Sequence, residues 1–215
     1  MRDKRTKYYD MSIEEMGLIK KENKRPILGL HVCCGVCVTF PLEFLTPIFK
    51  VVILYCNSNI YPQEEYDRRL NEMIRYVEYF NKAFNQDVEI IIFDYDNVAY
   101  NEVLAPYKDE KEGGKRCLLC YKTRMEETYK YAEEHNYDYF TTVMTISRQK
   151  NSNILNQIGE ELSKKYKPKY FYSDFKKKKG IERVQELKRI HNMYNQEYCG
   201  CVYSYSKYIK DKSKQ

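Results

Sequence analysis

The residues best equipped for chemistry in this 215-residue chain are its eight cysteines. Six fall in three close pairs: Cys33 with Cys34, Cys117 with Cys120, and Cys199 with Cys201. The Cys-x-x-Cys of RCLLCYKTR wraps a tight turn and lets both sulfurs reach one metal or cluster. At a helix start, free backbone N–H groups favour thiolate over thiol, and neighbouring Arg116 adds positive charge to the same end. Adjacent Cys33 and Cys34 would point to opposite faces of a regular strand. They can serve one site only where the strand has ended, and Gly35 permits that turn. Cys199-Gly200-Cys201 sets two thiols around a flexible middle, a pair able to chelate a metal or to close a small, easily reduced disulfide ring. Cys37 extends the first group to CCGVC and reads as packing on the first helix, because four ligands suffice for one cluster. Cys56, at the end of VVILYC, reads as a buried small side chain. His31, His135 and His191 read as structural or solvated.

The compartment decides what such thiols do. The N-terminal MRDKRTKYYDMSIEEMGLIKKENKRP has no apolar signal-peptide core, and no stretch approaches the roughly 20 apolar residues of a membrane span. A cytoplasmic protein with no membrane partner is expected. In a reducing cytosol, cysteines serve as metal ligands or redox thiols more readily than as structural disulfides. Zinc competes with iron–sulfur for four thiolates, but the spacing lacks the compact pairing of a zinc ribbon. The net charge of +6, from 37 basic and 31 acidic residues, is compatible with an anionic partner. The 23 tyrosines suit stacking on unpaired RNA bases, and genome bias accounts for such a composition equally well.

Five apolar runs read as strands: Ile27–Val32, Val51–Tyr55, Val88–Phe93, Tyr139–Met144 and a weaker Lys169–Tyr172. Helical stripes lie between them. Leu70, Met73, Ile74, Val77 and Phe84 follow a start at Pro62 and Glu64; Leu118, Tyr121, Met125, Tyr129 and Ala132 form a second stripe. Leu155, Ile158, Leu162 and Tyr166 form a third, with Asn151 or Ser152 as N-cap. Alternation of strand and helix predicts an α/β fold. Specifically, it predicts a Rossmann-like (HUP-like), mostly parallel five-stranded sheet of order 3-2-1-4-5 with helices on both faces. The continuous hydrophobicity of the second and third runs predicts strands covered on both sides. One α/β domain is expected over residues 26–205, preceded by an extension over 1–25 and followed by a polar, frayed tail over 206–215. Ligands of such sheets bind beyond the carboxyl ends of the strands at the switch point. There the three cysteine pairs are expected to converge into one metal site.

The motifs carry a resemblance. LHVCCGVC, LYCNSNIYPQEEYDRR, GGKRCLLCYKTR, FTTVMTISRQKNSN, SDFKKKKG and NQEYCGCVYS resemble the motifs of the QueH-type epoxyqueuosine reductases. The similarity runs from about Ile27 to Ser204, with Val36 where proline is common and Arg148-Gln149 where Pro-Tyr is usual. It implies two-electron removal of the epoxide oxygen of epoxyqueuosine at the tRNA wobble position, giving queuosine. It implies a [4Fe-4S] cluster on Cys33, Cys34, Cys117 and Cys120. Cys199 and Cys201 would then be a redox-active pair or ligands of a second, mononuclear iron. Asp174, at the end of the fifth strand, would ligate that iron or deliver a proton. Phosphate contacts would fall to Arg116, Arg124, Lys150 and the Lys176–Lys179 run, including Lys177. The implied partners are tRNA carrying epoxyqueuosine in its anticodon loop and an electron donor that the sequence does not identify; DNA is not expected.

Two other readings make different demands. An ATP-using tRNA-modifying enzyme of the same fold class needs a Ser/Gly-rich phosphate loop after the first strand, where this chain has CCGVCVTF with one glycine. A zinc-stabilised, non-catalytic tRNA-binding module would be colourless and hold zinc tightly.

Overall fold

A computed structural model describes residues 6–214. The chain runs α1 (Lys7–Lys21), β1 (Ile27–His31), α2 (Gly35–Leu45), β2 (Lys50–Tyr55), α3 (Gln63–Phe84), β3 (Glu89–Ile92) and α4 (Asn97–Leu104). It continues with α5 (Lys115–Glu134), β4 (Tyr139–Thr142), α6 (Ser152–Leu162), β5 (Lys169–Tyr170), α7 (Gly180–Ile190) and α8 (Val202–Lys212). The sheet is parallel throughout, in the order β3-β2-β1-β4-β5. β1 is central, pairing Leu28 with Val51 on one side and with Tyr139 on the other. After β3 the chain crosses to the far side of β1 and lays down β4, so the switch point lies beyond the ends of β1 and β4.

The period-two alternation of strand side chains divides the core into two layers. Val51, Ile53 and Tyr55 of β2 face a layer that includes Leu42 of α2, Met73 and Val77 of α3, and Val184 of α7. Val52 and Leu54 face a second layer with Met125 and Tyr129 of α5 and Leu155 and Leu162 of α6. Helices therefore cover both faces, as the sequence pattern predicts. Truncating one of these fully buried side chains to alanine costs about 2–5 kcal/mol. Asn151 caps α6, its side chain accepting from the Asn153 N–H, and Pro62 precedes the first residue of α3.

Three expectations are corrected. β3 is not covered on both sides: it is the sheet edge, paired only to β2, and Ile92 is half exposed. The fourth run stops being strand at Thr142, where the chain turns into a 3₁₀ segment, Val143–Ile146, capped by the Thr142 hydroxyl. The C-terminal residues are not frayed over their described part. α8 runs to Lys212, with Tyr208 and Lys212 both bonded to Glu197. At the other end, α1 is anchored to the sheet. Ile19 joins the first core layer, Tyr8 stacks on Tyr172, and Glu15 accepts from Lys169 Nζ and Tyr139 Oη. Residues 1–5 of the expected extension and residue 215 of the expected tail lie outside the described residues. Among the described residues no helix is long and apolar enough to cross a membrane.

Candidate active site

β1 ends at His31, and the chain turns through Cys33 and Cys34 into α2. Cys34 is the N-cap of that helix and Cys37 stands one turn on, so both sulfurs overhang its N-terminus. The sulfurs of Cys33, Cys34 and Cys37 lie within 4.8 Å of one another, and Cys34 and Cys37 meet Sγ to Sγ. Cys37 packs against the first core layer, as expected, and its sulfur also joins the Cys33 and Cys34 group. Gly35 does not serve a left-handed turn. A Cβ there would come within 3.1 Å of the α3 backbone at Glu72 and Met73, so glycine lets α2 lie against α3.

Cys117 sits in the first turn of α5, as expected, and accepts the Gly113 N–H at 3.2 Å. Its thiol is nevertheless pushed up in pKa, chiefly by burial, with the charges of Cys199, Cys120 and Cys201 adding to the Gly113-opposed shift. Arg116 does not counter this. Its Nη1 donates to the carbonyls of Lys108 and Glu110, both at 2.6 Å, and its guanidinium lies 4.1 Å over the Tyr203 ring. It fastens the loop before α5 and is buried.

Arg124, two turns into α5, is also buried. It donates to Asn57 Oδ1 at 3.2 Å and to Met144 Sδ at 3.1 Å. Burial opposes its charge, but Cys120, Tyr100, Cys33 and Cys199 around it outweigh that and raise its pKa. Its charge therefore faces sulfur, and phosphate binding is not what this position offers.

The C-terminal pair returns over α3. Arg69 there is 2% exposed and is held by Glu65 at 2.7 Å. Its Nη1 donates to the Cys199 carbonyl at 3.0 Å and its Nη2 to the Tyr198 carbonyl at 3.1 Å. Tyr194 Oη closes the clamp on the other Glu65 oxygen at 2.8 Å. Gly200 has φ +123°, and a Cβ on it would stand 2.9 Å from Arg69 Nη1. Its conformation is required, whereas the sequence suggested only a flexible middle. Gln196 reaches Cys34 Sγ at 3.4 Å, tying this segment to the first cysteine turn. Cys201 caps α8 beside Ser204, and burial raises its pKa against the opposing Ser204 hydroxyl.

Two cavities open on these sulfurs. One, of about 310 Å³, is lined by Cys33, Cys37, Arg124, Lys150 and Cys199 among others. The second, of about 400 Å³, is lined by Arg116, Cys117, Cys199 and Cys201 among others. Cys199 lines both, so the C-terminal segment borders the first cysteine turn on one side and Cys117 on the other, while among the described residues only Cys33, Cys34 and Cys37 stand close enough to share one metal ion. Asp174 lies a layer behind. It lines neither cavity; its carboxylate accepts from Ser152 and faces Lys176 at 3.8 Å and Lys177 at 4.0 Å. Lys176 turns inward to the Ser147 and Lys150 carbonyls, which fixes the loop carrying Lys150. Lys178 and Lys179 remain exposed, as does Arg148 on the rim of the first cavity. His31 is buried against Thr142, and Cys56 is buried, as read. Sequence reasoning missed Asn59, Arg69 and Arg148. The i,i+4 spacing of Glu65 and Arg69 was the one signal for any of them, and it looks like any exposed helix pair.

Cysteines from three distant segments lining adjoining cavities at the rim of a parallel sheet, with a buried arginine among them, define the class as an α/β protein with a cysteine-rich site. Residues 28–207 match the family described as Epoxyqueuosine reductase QueH, and the chain belongs to that family. It is 38% identical to the epoxyqueuosine reductase QueH of Streptococcus pyogenes serotype M1, over 91% of this chain and 77% of that one. It is 39% identical to that of Staphylococcus aureus (strain Mu50), over 91% and 83%. Against that of Haemophilus influenzae the figures are 33%, 94% and 78%.

Proposed function

We propose that this chain reduces epoxyqueuosine to queuosine at the wobble position of tRNA in the cytoplasm, using an iron–sulfur cluster with a dithiol or a second iron beside it. The observation that carries the reading is the cavity that Cys33, Cys37 and Cys199, from opposite ends of the sequence, line together with one buried guanidinium, Arg124. The donor set fits iron–sulfur ligation: it is all cysteine sulfur, and it is flanked by a fixed cation that would offset the net negative charge of a thiolate-ligated cluster.

Cys33, Cys34, Cys117 and Cys120 would hold a [4Fe-4S] cluster, which when bound supplies electrons one at a time. Removing the epoxide oxygen as water takes two electrons and two protons. Cys199 and Cys201 answer that need in one of two ways. As a dithiol they release two electrons and two protons on closing to a disulfide, and burial keeps the Cys201 proton in place until then. As ligands they would hold a mononuclear iron; Asp174, engaged by Ser152, would then ligate it or deliver a proton only after the loop carrying it moved, since it lines neither cavity. Arg124 steadies negative charge on the surrounding sulfurs, and the enclosing walls strengthen that effect by excluding water. Lys150 and Arg148 at the cavity rim, with exposed Lys178 and Lys179, offer cations to the tRNA backbone.

The test is anaerobic reconstitution, iron and sulfide analysis, then incubation with epoxyqueuosine-containing tRNA and a reductant. Queuosine in the digested tRNA is the expected product. A fully loaded protein that leaves epoxyqueuosine intact overturns the reading, and a colourless protein carrying only zinc favours the non-catalytic tRNA-binding alternative.

A further inference from the structure

We propose that Asn59 is a substrate-recognition residue whose side-chain oxygen accepts a hydrogen bond from an N–H or O–H group of the modified base, an inference that rests on the reading above. Asn59 lines the cavity shared by Cys33, Arg124 and Cys199 and is 2% exposed. Its Oδ1 is buried and has no hydrogen-bond partner. Among the described residues, no other residue lining this cavity has a buried side-chain nitrogen or oxygen left so.

The surrounding loop makes this orphan informative, because its neighbours are all engaged. Asn57 Nδ2 donates to the Val32 carbonyl at 2.7 Å, and Asn57 Oδ1 accepts from Arg124. Ser58 Oγ donates to the Asp94 carbonyl and accepts the Asp96 N–H. The Ser58 carbonyl accepts from Asn97 at 2.7 Å, and the Ile60 carbonyl accepts from Tyr95 Oη at 2.7 Å. The Tyr61 N–H donates to the Gly200 carbonyl at 2.7 Å. Backbone and side chains on either side of Asn59 are thus already engaged, and none of these neighbouring groups is left over to serve the Asn59 oxygen. A buried carbonyl oxygen held without a donor is costly to the folded chain. Proteins keep such groups where a ligand completes them, and a site built around one rejects ligands that lack the matching donor.

The cavity volume of about 310 Å³ suits one base with a small ring substituent and excludes folded RNA. Such a base brings donors of two kinds: ring and exocyclic N–H groups on its edge, and hydroxyls on its substituent. Either satisfies an acceptor carbonyl, and the two are separable by experiment.

Binding is measured for three anticodon stem-loops carrying epoxyqueuosine, queuosine or guanine at the wobble position, with wild type, Asn59→Leu and Asn59→Ala. Epoxyqueuosine binding is expected to weaken about tenfold in both variants, with KM rising by a similar factor and kcat changing little. Equal losses in the two variants identify the hydrogen bond rather than side-chain volume. If the donor is a base N–H, the guanine loop weakens in parallel; if it is a ring hydroxyl, only the two modified loops do. Iron and sulfide content should match wild type. The thermal midpoint should hold or rise, since an unsatisfied polar group has been removed. A structural asparagine would give the reverse: a lowered midpoint with affinity intact. Binding within twofold of wild type, or a wild type with no measurable affinity for any loop, overturns the assignment. A wild type that binds and is loaded but yields no queuosine overturns the reductase reading, while the binding comparison still decides Asn59.

Discussion

The two cysteine segments that face each other across the site, 33–37 and 199–201, are held in place by different physics. The first is an extension of the central strand. β1 is paired on both sides, its flanking layers are fully buried, and Val32 continues the ladder with an N–H bond to Leu54. The second has no strand beneath it. Its place depends on Arg69, which reaches from α3 to two consecutive carbonyls, and on the Tyr61 N–H to the Gly200 carbonyl. Main-chain ladders distribute their energy over many bonds, whereas a side-chain clamp concentrates it in one residue. The first segment should therefore tolerate single substitutions around it, and the second should not.

The largest effect separates burial from membership of the site. Cys117 and Cys56 are both buried, and burial pushes up the pKa of each thiol. Only Cys117 faces Cys199 and Cys201. Cys117→Ala is expected to abolish both iron retention and queuosine formation, while Cys56→Ala keeps both. Iron content and product yield check this, and the opposite pattern would reassign the ligands.

Next comes the clamp itself. Arg69→Ala strands Glu65 in the interior and releases the Tyr198 and Cys199 carbonyls. Removing one partner of a buried pair costs about 3–5 kcal/mol of stability. Misplacing a reacting group by about 1 Å costs roughly a hundredfold in rate. Arg69→Lys keeps the charge but lacks the planar fork that serves Glu65 and two carbonyls at once. It is expected to recover stability more than activity. Chemical denaturation and single-turnover assays read the two separately; full activity in the lysine variant would show that the fork does not position Cys199.

What could be read in advance follows the same division. Periodicity exposed the strands, the helices between them and the strand-end location of the first cysteines, and the crossover rule applied to that order gave the sheet topology. Periodicity is blind to tertiary position: β3 is as apolar as β2, yet it is an edge. The clamp was hidden because Arg69 and Glu65 on a helix read as a solvated pair, and only the returning chain covers them. Arg124 and Arg116 look alike as cations beside a cysteine motif. One faces sulfur and the other ties down a loop, a distinction set by which side of α5 each occupies.

Two glycines sharpen the contrast at smaller scale. Gly200→Ala imposes a Cβ on φ +123° and presses it against Arg69, at an expected cost of about 1–3 kcal/mol. Gly35→Ala pushes α2 from the α3 backbone at a similar cost of about 1–3 kcal/mol. Activity should part them. The Gly200 variant shifts the clamp and is expected to lose about tenfold or more beyond its stability effect. The Gly35 variant leaves intact the β1 ladder that ends just before Cys33 and should lose little. Equal activity losses at matched stability would erase the proposed difference between the segments.

The smallest effect is the acid sensitivity that His31 adds on the strand side. His31 ends β1 beneath the cysteine turn, buried, with Nδ1 2.8 Å from Thr142 Oγ1. Burial pushes its pKa well below the ordinary histidine value, and the positive charges of Arg124 and Lys150 act in the same direction. In the folded chain it stays neutral, while in the unfolded chain it takes a proton as pH falls through about 6.5. The unfolded state then binds more protons, so stability rises with pH in this range and is lost progressively below about 6.5, down towards the native pKa. One proton of difference amounts to about 1.4 kcal/mol per pH unit at most. His31→Gln keeps a hydrogen-bonding side chain that does not titrate. Urea denaturation of the metal-free protein at pH 7.5, 6.5 and 5.5 is expected to show a shallower acid loss in the variant, by about 1 kcal/mol at pH 5.5. Parallel profiles for the two proteins would place the acid-labile group elsewhere and remove this asymmetry between the two halves of the site.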